Sequence, residues 1–150
     1  MMQDFVKLTG ELDIKLYSAD GTLKDSRTVK NLVTTVGKNW MIANMLAPQT
    51  LMNAMAVGTG TTAAAVTDTA LQTELVRVSG ASFSAVTGTS ANIIQYTGTY
   101  SPGVATGSLT EAGILNSTTT GGVLLSHTVF AVVNKASTDT LIIVWGITQN

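Results

Sequence analysis

The residues able to do chemistry are few and far apart in this sequence. His127 is the one histidine, cysteine is absent, and the nine carboxylates are scattered over 150 residues. Multi-histidine and thiolate metal sites within one chain are therefore excluded, as is a cysteine nucleophile. No Gly-x-Ser-x-Gly elbow with a matching histidine and acid is present. We expect no catalytic residues, no bound cofactor and no metal site.

His127 lies in residues 123–133, whose alternation is typical of a strand. The alternation places it on the face opposite Leu124 and Phe130, which we interpret as a solvent or interface face. The prediction is a structural role. The alternative is that a trimer brings three copies of His127 together on its axis, as a metal or pH-sensitive site.

Glu111 differs from the other carboxylates because it lies in an apolar stretch, residues 109–115. A carboxylate in such surroundings needs a partner, for which Arg77 or backbone amides are the candidates. We interpret Glu111 as a structural ion pair or hydrogen-bond anchor. A role in glycan hydrolysis would need a second carboxylate from across a subunit interface.

The glycine-rich segment Gly58-Thr59-Gly60-Thr61-Thr62-Ala63 superficially matches a dinucleotide-binding motif. Neither a long helix nor a lysine follows it, so a Rossmann-type site and a P-loop are both unsupported. We predict instead a flexible small-residue loop, residues 59–70, that lies on a neighbouring subunit. Asp68 would begin a single helical turn through Leu71.

Composition favours a subunit of an assembly. Charged residues make up 11% and the formal net charge is −1, against about 25% charged residues in ordinary soluble domains. A charge-poor surface tends to associate, and no basic patch for nucleic acid is visible. The longest apolar run, residues 141–145, is far short of the roughly 20 residues that span a bilayer. Without a secretory signal at its start, the chain is expected to be made in the cytoplasm.

The elements that would position these residues are mostly strands. Period-two alternation and turn signals predict a single-domain antiparallel β-sandwich, jelly-roll-like, over residues 11–150, after an N-terminal contact segment, residues 1–10. One helix is predicted near residues 36–47, with Thr35 as its cap and Pro48 after its end. The predicted strands cover residues 11–17, 22–34, 51–58, 74–86 (with a possible bulge at Ser79-Gly80), 91–100, 109–116, 123–133 and 140–148.

Four segments in order resemble a known group of proteins. They are residues 31–46, beginning Asn31-Leu32-Val33; residues 56–75, beginning Ala56-Val57-Gly58; residues 110–116, Thr-Glu-Ala-Gly-Ile-Leu-Asn; and residues 124–148, ending Trp145-Gly146-Ile147-Thr148. Together they resemble small virion structural proteins of tailed bacteriophages. The resemblance implies a β-sandwich subunit, commonly trimeric, bound on a capsid or within a tail or fibre, with no catalytic residues to transfer.

Within that group, the sequence favours a capsid decoration (cement) protein. Aromatic residues are only 5%, fewer than a receptor-binding tip usually shows, and no coiled coil or fibrous repeat indicates a shaft. The expected partners are the major capsid protein or other virion proteins and further copies of the chain, with no nucleic acid and no membrane. Expected contact regions are residues 1–10, 59–70 and 101–108. The alternative is a tail, collar or fibre-associated protein that docks fibres or binds a host surface.

Overall fold

A computed structural model describes residues 7–150 of the chain. Nine antiparallel strands and one α-helix make up the regular structure of this part, and a short 3-10 turn joins the fourth and fifth strands. The elements are β1 (Leu8–Tyr17), β2 (Leu23–Val33), α1 (Thr35–Leu46), β3 (Ala54–Gly58), β4 (Glu74–Ser79), β5 (Phe83–Thr87), β6 (Ile93–Tyr100), β7 (Gly107–Leu115), β8 (Leu124–Lys135) and β9 (Thr140–Gln149).

The strands form two packed layers. One layer has the order β2-β1-β9-β6-β5 and the other β4-β3-β7-β8. They are joined where the end of β2 pairs with β8, Leu32 opposite His127 and Val33 opposite Ser126. The predicted all-β antiparallel sandwich is confirmed. The nested pairs β1–β9, β2–β8 and β3–β7 give it a jelly-roll-like order, although β1 and β2 also form a hairpin.

Alternation in the sequence accounts for β1. In β1, Leu12, Ile14 and Leu16 point inward and are buried, while the residues between them face solvent. The Asp20-Gly21 turn predicted after β1 is present, with Gly21 at φ +84° and the Thr22 amide donating to Asp20 at 2.9 Å. The hairpin therefore follows from local sequence alone.

The core lies between the two layers. Trp145 and Tyr100 are its largest members, and both are fully buried. The Tyr100 hydroxyl donates to the Met55 carbonyl oxygen across the layers, at 2.8 Å. A Cβ at Gly98 would lie 2.8 Å from the Met55 sulfur, so glycine permits the layers to approach closely here.

The helix α1 packs against β8, with Trp40 and Met41 against the main core and Val36 against a second, smaller one. A Cβ at Gly37 would lie 2.5 Å from the Leu125 carbonyl oxygen, so the first turn of α1 lies directly against β8. The predicted helix is confirmed within a residue at each end. The predicted cap is wrong by one position, because the Thr34 hydroxyl accepts from the Gly37 amide at 3.0 Å.

Three further details differ from the sequence expectations. Ser79-Gly80 is not a bulge in one strand but the point where the chain leaves the second layer and enters the first, at β5. No helical turn is present at residues 68–71. β1 begins at Leu8, so residues 8–10 belong to the sandwich, while residues 1–6 of the predicted contact segment lie outside the described residues.

Candidate functional site: a buried histidine between two carboxylates

The loop between β3 and β4, residues 59–73, folds back over the outer face of the second layer. Its ends are held together by the Thr59 amide, which donates to the Thr73 carbonyl oxygen at 2.9 Å. Leu71 is buried beneath it, in a small second core with Ala56, Leu115 and Leu124. The outer face of β3, β7 and β8 is therefore covered, which explains why all five residues of β3 are buried.

Glu111 of β7 anchors this loop. Its side chain is fully buried, opposite Gly58 of β3. One carboxylate oxygen accepts from the Gly60 amide at 2.9 Å and the Thr73 amide at 2.7 Å, and the other accepts from the Gln72 amide at 2.9 Å. Three backbone donors from both ends of the 59–73 loop thus converge on one side chain.

The surroundings of Glu111 favour its ionised form. Burial alone would raise the pKa of this carboxyl group, but the Thr73, Gln72 and Gly60 amides and His127 together outweigh burial and lower the pKa from its usual value. Hydrogen bonds to a charged acceptor are stronger than those between neutral groups. The anchor therefore depends on the negative charge as well as on the shape of the side chain.

His127 of β8 lies between two carboxylates. Its Nε2 is 2.9 Å from Oε2 of Glu111, and its Nδ1 is 2.7 Å from Oδ2 of Asp68. Asp68 belongs to the 59–73 loop and also accepts from the Ala65 amide at 2.8 Å. The three side chains link two strands and the middle of the loop.

The surroundings of Asp68 also favour its ionised form. Partial burial raises the pKa of Asp68, but the Ala65 amide and His127 outweigh it, so that the pKa is lowered. Ionised carboxylates only accept hydrogen bonds, so each ring nitrogen of His127 faces an acceptor.

The two glycines at the start of the loop are required by close approach. A Cβ at Gly58 would lie 2.2 Å from the Thr73 carbonyl oxygen, and one at Gly60 would lie 2.6 Å from Oε1 of Glu111. The glycine-rich segment is therefore explained by packing of the loop on Glu111. Its resemblance to a nucleotide-binding motif has no counterpart in the surrounding structure, where a strand is followed by this loop and not by a helix.

Several sequence expectations for the site need correction. His127 is not on a solvent face, because the 59–73 loop covers that side of β8 and leaves the ring fully buried. Arg77 does not pair with Glu111 but forms an ion pair with Glu74, at 2.6 Å. The alternative partners, backbone amides, are confirmed. The loop is held at both ends, whereas its contact with a neighbouring subunit stays a prediction.

Two participants were not found by sequence reasoning. Asp68 was assigned to a turn, and its contact with His127, 59 residues away, has no local signal. Gln72 closes the loop, since its side-chain oxygen accepts from the Thr62 amide at 2.8 Å. The one signal available was Glu111 itself, since a carboxylate in an apolar strand requires nearby donors.

A shallow cleft of about 380 Å³ lies beside the cluster. It is bordered by Lys30, Asn31 and Leu32 of β2, Thr61, Ala63 and Ala64 of the loop, and His127, Thr128 and Val129 of β8. Lys30 is the one lysine, arginine, aspartate or glutamate of this lining.

The arrangement is suited to holding structure. Both ring nitrogens of His127 face carboxylates of the same chain, so neither is free to take a proton from a nucleophile. The four acceptor positions of Glu111 are all used, which leaves none for a metal ion or a substrate. Within residues 7–150, no group of three or more histidine, cysteine, aspartate or glutamate side chains is placed to hold a metal ion. In the same part of the chain, every helix is too short or too polar to cross a membrane.

Gly60, Glu111 and His127 together attach the 59–73 loop to the sandwich. No family model, no curated protein and no solved structure matches this chain.

Proposed function

We propose that this chain is a structural protein of a tailed-bacteriophage virion, specifically a capsid decoration protein that binds the assembled lattice of the major capsid protein. The observation that carries the proposal is the apolar, charge-poor surface around the end of α1. Met45 is 84% exposed and Leu46 92% exposed, and neighbouring Ile42 is also exposed. An apolar patch of this kind on a soluble protein marks an interaction surface.

The fixed 59–73 loop supports the same proposal. A decoration protein must present a preformed surface to a lattice, because ordering a loop on binding would reduce affinity. Glu111 and His127 order this loop in the unbound chain, which requires that one carboxylate and one imidazole ring are buried. The proposed contact regions are the exposed end of α1, residues 59–70 and 101–108, and the N-terminal residues.

The physical role would be to add buried area where capsid subunits meet. A protein that binds only the assembled state stabilises that state by mass action. The proposal includes association with further copies of the chain, in the trimer that the resemblance implies. It also includes location in the virion after synthesis in the host cytoplasm. It includes no enzymatic activity, cofactor, nucleic acid or membrane.

Copy number tests the proposal. Quantitative mass spectrometry of purified particles, with isotope-labelled peptides of this chain and of the major capsid protein, should give on the order of hundreds of copies per particle, since a closed lattice repeats each binding site many times. Roughly a few dozen copies or fewer would instead favour the tail, collar or fibre alternative, since those structures repeat far fewer times. Absence from the particle would refute both.

A further inference from the structure

One edge of the sandwich is left open. β5 pairs with β6 alone, and its other side has no strand partner within residues 7–150. Four of its five residues, Ser84 to Thr87, are exposed. An unpaired strand edge presents a row of backbone donors and acceptors that a further strand can pair with.

This edge has none of the charges that normally prevent edge pairing. Residues 78–110, which include β5 and β6, contain no Asp, Glu, Lys or Arg, and neither do residues 39–67. The other open edge, β4, differs because it carries Glu74 and Arg77 as an ion pair. Charged side chains on an edge strand are a common protection against pairing. β5 therefore lacks the protection that β4 has.

An apolar groove of about 380 Å³ runs beside the β5 edge. One side is formed by Trp40, Leu51 and Met52, and the other by Val86 and Ile94 with their neighbours. Leu51 is 70% exposed and Val86 53% exposed. β5 has only five residues, so its backbone offers few hydrogen bonds. Burial of the apolar groove would add to the stability of a contact made through them.

We propose that a second copy of this chain covers this surface, with β5 pairing antiparallel to β5 of the partner about a twofold axis. The argument for a second copy is electrostatic. A partner with ordinary surface charges would have to bury them against a surface that offers no counter-charge, which is costly. An identical copy presents the same uncharged edge, and each copy supplies one strand and one groove, as a twofold interface requires.

The inference does not depend on the virion location. It adds a twofold contact whether the unit that pairs is a single chain or a trimer. If the capsid proposal fails, the twofold contact through β5 can still form. If that contact is absent, the copy number on the particle is unaffected.

Sedimentation equilibrium of the purified chain over a range of concentrations tests the pairing. The wild type should form an assembly with an even number of chains. Val86→Lys places a charge on the β5 edge and should halve the mass of that assembly. Leu75→Lys is the matched control, because Leu75 is 48% exposed on the charged β4 edge, and this variant should keep the wild-type mass.

If Val86→Lys fails to fold, hydrogen exchange in the wild type still tests the pairing. Amides of residues 83–87 in the wild type should become more protected as concentration rises, while those of β4 should not. A wild type that is monomeric at all concentrations, or an odd-numbered assembly, overturns the proposal. So does a folded Val86→Lys variant with unchanged mass, or a Leu75→Lys variant that dissociates equally.

Discussion

Glu111 is the residue through which the 59–73 loop is attached to the sandwich. It replaces the hydrogen bonds that three loop amides would otherwise make with water, and it orients His127. Removing one partner of a buried charged pair leaves the other uncompensated, which typically costs about 3–5 kcal/mol. The contribution of this residue can therefore be measured by removing its charge while its shape is kept.

Glu111→Gln should lower the free energy of unfolding by about 3 kcal/mol, since an amide group places a donor where the Gln72 amide and His127 also donate. Urea unfolding measures the loss, and hydrogen exchange should show faster exchange at Gly60 and Thr73. Asp25→Asn is the control, because it removes the same charge from a pair with Arg27 in which both side chains are 27% exposed, at a cost of about 1 kcal/mol or less. Equal losses in the two variants would contradict the anchoring role.

At the scale of elements, the second layer is distinguished by the covering on its outer face. The 59–73 loop buries the side of β3, β7 and β8 that faces away from the core, and α1 packs against β8 with Val36 beside the same small cluster. The closeness of α1 to β8 depends on Gly37. Alanine favours a helix over glycine by about 1 kcal/mol, so the native glycine here indicates a packing requirement.

Gly37→Ala should destabilise the protein by about 2 kcal/mol, because its Cβ would meet the Leu125 backbone, which cannot move without disturbing β8. Thermal unfolding monitored by circular dichroism measures the change. Gly146→Ala is the matched control, since a Cβ there meets no atom closer than 3.9 Å, and its stability should be unchanged or slightly raised. A rise in stability for Gly37→Ala would show that α1 is not held at this distance.

The elements were also where the sequence was most informative. Period-two alternation predicted residues 11–17 of β1, because this strand has one face in the core and one in solvent. Alternation failed at His127, where a loop distant in sequence buries the second face. Alternation reports how many faces are buried, but it does not report which segment covers a face.

The Glu111 cluster shows the same limit at the site. An apolar strand containing a carboxylate predicted an anchor, and the two candidates for its partners included the correct one. The choice between Arg77 and backbone amides depended on the path of the 59–73 loop, which is set by contacts over 38 to 51 residues. The contact of Asp68 with His127 could not be predicted for the same reason, since the two residues are 59 positions apart and no local pattern links them.

Across the whole molecule, three carboxylates with lowered pKa values hold together parts distant in sequence. Asp68 and Glu111 attach the 59–73 loop to β7 and β8. Asp139, in the β8–β9 turn, receives a hydrogen bond from Lys24 of β2 at 2.7 Å and one from the Ala136 amide, which together lower its pKa. Acid should therefore weaken the molecule at these connections.

The direction of the pH dependence follows from proton uptake. Because the pKa values of Asp68 and Glu111 are lower in the folded chain than in the unfolded chain, the unfolded chain binds more protons as pH falls through the ordinary carboxyl range, about pH 4. Their contribution to the free energy of unfolding is fully present above that range. It is lost as pH falls through their folded-state values.

Urea midpoints measured from about pH 6 to pH 3 should therefore fall steadily in the wild type, with the steepest change in the ordinary carboxyl range near pH 4. The double variant Asp68→Asn/Glu111→Gln should be less stable at pH 6 and should show a shallower fall, because it lacks two of the groups that take up protons on unfolding. The same slope in both proteins would mean that the cluster is not ionised in the folded state.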